Sequence, residues 1–226
     1  MGRKGAFFYL LVSLLFILFA YPLFEIGVWS GKLLALFFTI VLVAGVYVAS
    51  GGDRRRLTIS IFLAVPSVLV LWVDQMIPEG TVLRGWFDIA TYSLIILFVF
   101  YTIFCVLLHL MKARKVTADI LAGAACVYLM LGFGWSLLYT IVERTKPGSF
   151  KISDQLLHTY QRSWSMFNYY SFGTLTTLGY GDITPVNIRA QSLAILEAVT
   201  GVLFTALLIS RLVGMYLHQL NENNGV

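Results

Sequence analysis

Six long runs of apolar residues constrain this chain more than any other feature. They span residues 6–24, 33–50, 57–73, 86–111, 116–142 and 188–217. A bilayer core needs about 20 apolar residues per helix, and inside it every backbone polar group must find a partner within the protein. The composition agrees: 59% of the residues are hydrophobic, 12% are charged and the mean hydropathy is +0.84. A soluble globular domain has about twice that charged share. The sequence therefore reads as an integral membrane protein with six spans. Pro66, inside the third, is expected to kink it by removing one backbone donor.

The net charge of +5 does not indicate nucleic acid, because the basic residues sit in short clusters beside the apolar runs. Arg3 with Lys4, Arg54 to Arg56, and Lys112, Arg114 and Lys115 alternate with loops carrying Asp74, Glu79 and Asp88. By the positive-inside rule both termini are cytoplasmic and residues 143–189 lie outside. The run 6–24, behind Arg3 and Lys4, resembles a signal peptide but is long for one and has no small-residue cleavage site after it, so it is read as a retained helix. The basic clusters act as topology signals, with binding of anionic lipid headgroups as the alternative. Cys105 and Cys126 lie inside apolar runs, which argues for small buried hydrophobes rather than a disulfide. His109, His158 and His218 are scattered without metal-ligand spacing. Nothing in the sequence assembles an enzyme's acid, base or nucleophile, and no cofactor is expected.

The outer segment 143–189 contains a second, shorter apolar stretch, "SWSMFNYYSFGTLTT", over residues 163–177. About 14 residues cannot span, so a helix over 163–176 is expected to enter the membrane and turn back. "LGYGD" follows at once, from Leu178 to Asp182. Non-helical backbone at that depth is tolerated only where protein buries it or where it lines a water-filled path. Gly179 and Gly181 can take positive φ at little cost, turning successive carbonyls toward one side.

With those residues in view, "TLTTLGYGD" (174–182) resembles the signature of the tetrameric potassium channels, with Leu178 in place of the usual valine. The resemblance covers 116–217. It implies an all-α membrane protein with six transmembrane helices, a re-entrant pore helix and a filter loop at 177–182, assembled as a homotetramer. Residues 1–115 would form a four-helix region with a voltage-sensor-like layout. Residues 116–226 would form the pore domain, with outer helix 116–142 and inner helix 188–217. K+ would be bound at Thr177, Leu178, Gly179, Tyr180 and Gly181 by carbonyl oxygens, helped by the Thr177 hydroxyl.

Tyr169 and Tyr170 fall where many family members carry tryptophans. Tyr169 is expected to hydrogen-bond Asp182, with plain aromatic packing as the alternative, and Tyr170 to pack on Tyr180. Gly173 stands where the family has a larger side chain, so a void or a water is expected beside it. Gly201 follows Gly179 at close to the family's spacing for an inner-helix hinge. It is either that hinge or a small residue for close packing. Val202, Thr205 and Ile209 are cavity-lining candidates. Glu197 is expected to contact protein or pore water, and Arg211 to snorkel or find a partner.

Residues 85–111 hold no Lys or Arg, and Asp88 is their one formal charge, so strong voltage gating is not expected. Passive, weakly voltage-dependent K+ conduction in a cell membrane, by compactness a bacterial inner membrane, is the first reading. A weakly selective cation channel and a non-conducting scaffold or sensor subunit are the alternatives.

Overall fold

In the computed structural model, residues 5–24, 30–77, 82–113, 115–154, 156 and 164–223 are described. Arg3, Lys4, Glu79, Arg114, His158 and Ser163 lie outside the described residues, as does the side chain of Arg84.

The apolar runs become helices because a backbone surrounded by oily side chains satisfies itself most completely in helical hydrogen bonds. They are α1 (Ala6–Phe24), α2 (Ser30–Ser50), α3 (Arg54–Asp74), α4 (Val82–Lys112) and α5 (Ala118–Thr145). After the strand β1 (Phe150–Ile152) come α6 (Trp164–Leu175), β2 (Ile183–Pro185) and α7 (Ile188–Asn223). Among the described residues, five helices are long and apolar enough to cross a membrane: α2, α3, α4, α5 and α7. In α1 the described apolar stretch, Ala6–Phe19, is shorter.

Several boundaries differ from those read off hydropathy, and capping explains two of them. α5 starts at Ala118 rather than 116 because Thr117 takes an extended conformation and its hydroxyl accepts the Ile120 N–H. Asp53 starts α3 in the same way, accepting the Arg55 N–H at 2.9 Å. Gly51 and Gly52, both with positive φ, make the tight turn from α2 into it. α3 continues through Pro66 to Asp74. α7 continues past 217 to Asn223.

α2 packs on α3 and α4, and α4 packs on α3 and α5. α1 lies against both α2 and α5, so the first helix bridges the N-terminal region and the second half of the chain. Its Phe7 ring meets His109 at 5.2 Å, and its Phe7 carbonyl accepts the Cys126 thiol. The short helix α6 lies against α5 and α7.

β1 and β2 pair antiparallel, with Lys151 opposite Thr184. The pairing extends at both ends, through Val186 N–H to Ser149 O and Ser153 N–H to Asp182 O. This small ribbon fixes where the chain leaves the 177–182 loop. Glu143, at the end of α5, braces it by accepting the Gly148 and Phe150 N–H groups.

Candidate ion-conducting site

Helix α6 runs only from Trp164 to Leu175. A helix of that size, roughly three turns, falls well short of a bilayer core. Its buried residues, among them Trp164, Phe167, Ser171 and Leu175, recur at helical spacing and face α5 and α7. Gly132 lets α5 approach: a Cβ there would stand 2.6 Å from the Phe172 ring. Gly201 does the same for α7, where a Cβ would stand 2.2 Å from the Leu175 carbonyl oxygen. The structure thus gives Gly201 a packing reason, in a helix that runs without interruption from Ile188 to Asn223.

After Leu175 the chain folds back on the last turn of α6. Gly173 O accepts the N–H groups of both Leu178, at 2.8 Å, and Gly179, at 3.1 Å. From Thr177 to Gly181 the sign of φ alternates. Thr177 (+61°), Gly179 (+56°) and Gly181 (+80°) are positive, and Leu178 and Tyr180 between them are not. An ordinary strand points successive carbonyls to opposite faces; alternating left- and right-handed residues turn them toward one. The two glycines permit this cheaply. Thr177 does not: a β-branched residue at positive φ costs about 1–2 kcal/mol, and sequence reasoning missed it because only glycines announce such positions. Residues 176–181 are exposed in the single chain, with Leu178 at 57% and Tyr180 at 64%.

Tyr169 Oη donates to Asp182 Oδ2 at 2.7 Å, the pair named from the sequence, and its ring stacks on Tyr180 at 5.5 Å and 10°. The expectation for Tyr170 is corrected. Within the chain its ring packs against Tyr139 (5.0 Å) and Phe150 (5.4 Å), not Tyr180. Consecutive helical residues point about 100° apart, so when Tyr169 faces the loop Tyr170 faces α5. Beside Gly173 a Cβ would meet nothing closer than Tyr180 Cδ2 at 3.9 Å, so the position has room for a side chain.

α7 is nearly uncovered. Only 11% of its apolar window is buried, against 67% for α5. Ala190, Glu197 and Gly201 form its buried edge, while Val202 and Ile209 are exposed and Thr205 is half-buried with its hydroxyl on the Gly201 and Val202 carbonyls. Glu197 is fully buried, between the hydroxyls of Tyr139 and Ser171. Sequence reasoning named neither partner, both far away along the chain. Arg211 finds protein partners: its Nη2 donates to Met111 O at 2.5 Å and Leu110 O at 3.2 Å, at the end of α4. Further along α7, Gln219 Oε1 accepts the Val116 N–H.

Arg54, Arg55 and Arg56 occupy the first turn of α3, with Arg56 3.8 Å from Asp53, and Lys112 ends α4. Lys115 is exposed in the short link to α5. At the other end of α4, Arg144 pairs with the buried Asp88 at 2.7 Å. Among the described residues no group of His, Cys, Asp and Glu could hold a metal ion.

A helix too short to span, a loop of alternating backbone hand and a long, mostly uncovered apolar helix stand side by side here. A family model described as ion channel matches residues 94–218, more than half of the chain, and the protein belongs to that family. It is accordingly an integral membrane protein of a transport family rather than an enzyme. No solved structure matches the chain.

Proposed function

We propose that the chain is the subunit of a homotetrameric, potassium-selective channel. K+ is coordinated by carbonyl oxygens of Thr177, Leu178, Gly179, Tyr180 and Gly181 and by the Thr177 hydroxyl, and moves passively down its gradient. The observation that carries this reading is the alternation of φ over 177–181 directly after a helix too short to span. Strain at Thr177 makes sense where the backbone itself is the ligand. One such loop cannot surround an ion, and the uncovered face of α7 with the exposed loop is the surface that three further copies would cover.

In this reading α1 to α5 and α7 are six spans, both termini are cytoplasmic and the membrane is the cell membrane. Tyr169 and Asp182 brace the filter's outer end, and Val202, Thr205 and Ile209 line the inner cavity. Gly201 seats α7 against α6. α4 carries no Lys or Arg between Arg84 and Lys112, so conduction is weakly voltage-dependent. Anionic lipid headgroups bind at Arg54, Arg55, Arg56, Lys112, Arg114 and Lys115.

Purified protein in liposomes should release K+ through a barium-blocked pathway that excludes Na+. Equal K+ and Na+ flux would replace the selective channel with a weakly selective one, and a silent tetramer would support a scaffold.

A further inference from the structure

Between α5, α6 and α7 lies a cluster of oxygen atoms that conduction through the loop does not use. Glu197 is fully buried, at a depth where an ionised carboxylate is costly unless a cation neutralises it. Its partners are hydroxyls. Tyr139 Oη lies 2.5 Å from Oε2, Ser171 Oγ lies 2.5 Å from Oε1, and the same Ser171 Oγ lies 2.7 Å from Gly132 O. Oxygens this close have a proton between them. Three contacts need three protons; the Tyr139 and Ser171 hydroxyls carry one each, and the Gly132 carbonyl carries none.

We propose that Glu197 is a positioning residue acting as a neutral carboxylic acid, its own proton completing a relay that fixes α6 between α5 and α7. Oε1–H donates to Ser171 Oγ, Ser171 donates on to Gly132 O, and Tyr139 donates to Oε2. Every oxygen in the cluster is then satisfied. Loss of that proton leaves two protons for three contacts, so Ser171 must release either the carboxylate or Gly132, and α6 loses one of the two polar attachments that Ser171 gives it, keeping those of Trp164 to Ser136 and of Leu175 O to Tyr128. Because Gly173 O on α6 holds the N–H groups of Leu178 and Gly179, a loosened α6 carries the loop with it.

Among the described residues Glu197 has no ion pair. The titratable groups beside it include the phenols Tyr128 and Tyr139 of α5 and Tyr170 of α6. The charges of α5 lie toward its ends: Asp119 in the first turn, Glu143 engaged by the Gly148 and Phe150 N–H groups, and Arg144 paired with Asp88. α6 has no charged residue. On α7, Arg189 and Arg211 stand about two and four turns away.

The consequence for conduction rests on the channel reading above, whereas the protonation state does not, and the test separates them. Infrared difference spectra of full-length protein in liposomes, wild type minus Glu197→Gln at neutral pH, should show the C=O stretch of a carboxylic acid. A carboxylate band in its place overturns the proposal. Tyr139→Phe should keep the acid band but shift it, since Oε2 loses its donor; an unshifted band overturns the relay.

In K+ flux, Glu197→Gln supplies an amide N–H for Ser171 and a carbonyl for Tyr139, so flux stays within about twofold of wild type. Wild-type flux should decline at alkaline pH as the Glu197 proton is lost, and Glu197→Gln flux should not. Glu197→Ala, which leaves the Tyr139 hydroxyl without its acceptor and cuts Ser171 off from α7, should lose flux on the order of tenfold. An assembled Glu197→Gln protein without flux overturns the neutral-acid role, because only an anion would be missed. An acid band in a wild-type protein that conducts nothing refutes the channel reading and leaves the relay standing.

Discussion

Replacing Gly201 by alanine puts the largest effect on the smallest change. The added Cβ would stand 2.2 Å from the Leu175 carbonyl oxygen. Carbon and oxygen come no closer than about 3.3 Å even in favourable contacts, so the end of α6 and α7 must separate by about 1 Å. The obstacle is backbone and cannot rotate away. Overpacking of this kind costs about 1–3 kcal/mol, and it must outweigh the gain of about 1 kcal/mol that alanine brings to any helix interior.

Gly214 on the same helix isolates that gain, since a Cβ there meets nothing within 4 Å. Thermal unfolding in detergent should therefore show Gly201→Ala destabilised and Gly214→Ala unchanged or stabilised. In liposomes Gly201→Ala should also lose K+ flux, because Leu178 and Gly179 hang from Gly173 on the displaced helix. A Gly201→Ala protein that matches wild type in both assays refutes the packing argument. One of wild-type stability with altered opening would return Gly201 to the role of hinge.

Tyr169→Phe removes the 2.7 Å bond to Asp182 and keeps the stack on Tyr180. A hydrogen bond to a charged acceptor is worth about 1.5–3 kcal/mol, less at this half-exposed site, and currents should decay faster during long openings. Unchanged decay would reject the brace. Arg211→Ala removes the guanidinium from the carbonyls of Leu110 and Met111 at the exposed end of α4 and should destabilise the protein by about 0.5–1.5 kcal/mol, with Arg211→Lys intermediate because lysine donates from a single point. Equal melting of all three would deny that contact any weight. Conductance in symmetric potassium should vary shallowly with voltage, since α4 lacks mobile cations; a steep curve would contradict this.

Five of the expected spans, α2 to α5 and α7, were legible because hydropathy over about 20 residues reads burial in lipid directly, and the half-length α6 was legible as the run that failed that length. The pairing of Tyr169 with Asp182 came from the resemblance, since Tyr169 stands where many family members carry a tryptophan. Other parts had no local signal. Thr177 adopts positive φ because the loop around it demands it, against its own preference. Tyr170 was misplaced because two adjacent tyrosines look equivalent until the helix phase is known. The strands β1 and β2 are too short for alternation to register. Glu197, Ser171 and Tyr139 meet through tertiary packing alone, so the sequence marks the buried acid as costly and leaves its partners open.

The central claim is that four copies of residues 177–181 replace the water shell of a dehydrated ion. Anomalous scattering from thallium, a stand-in for K+, in an experimental structure of the assembled protein tests it most directly. The account predicts peaks on a fourfold axis, level with the oxygens of Thr177 to Tyr180. A monomer, or an assembly whose loops turn away from the axis with no ion between them, would contradict it.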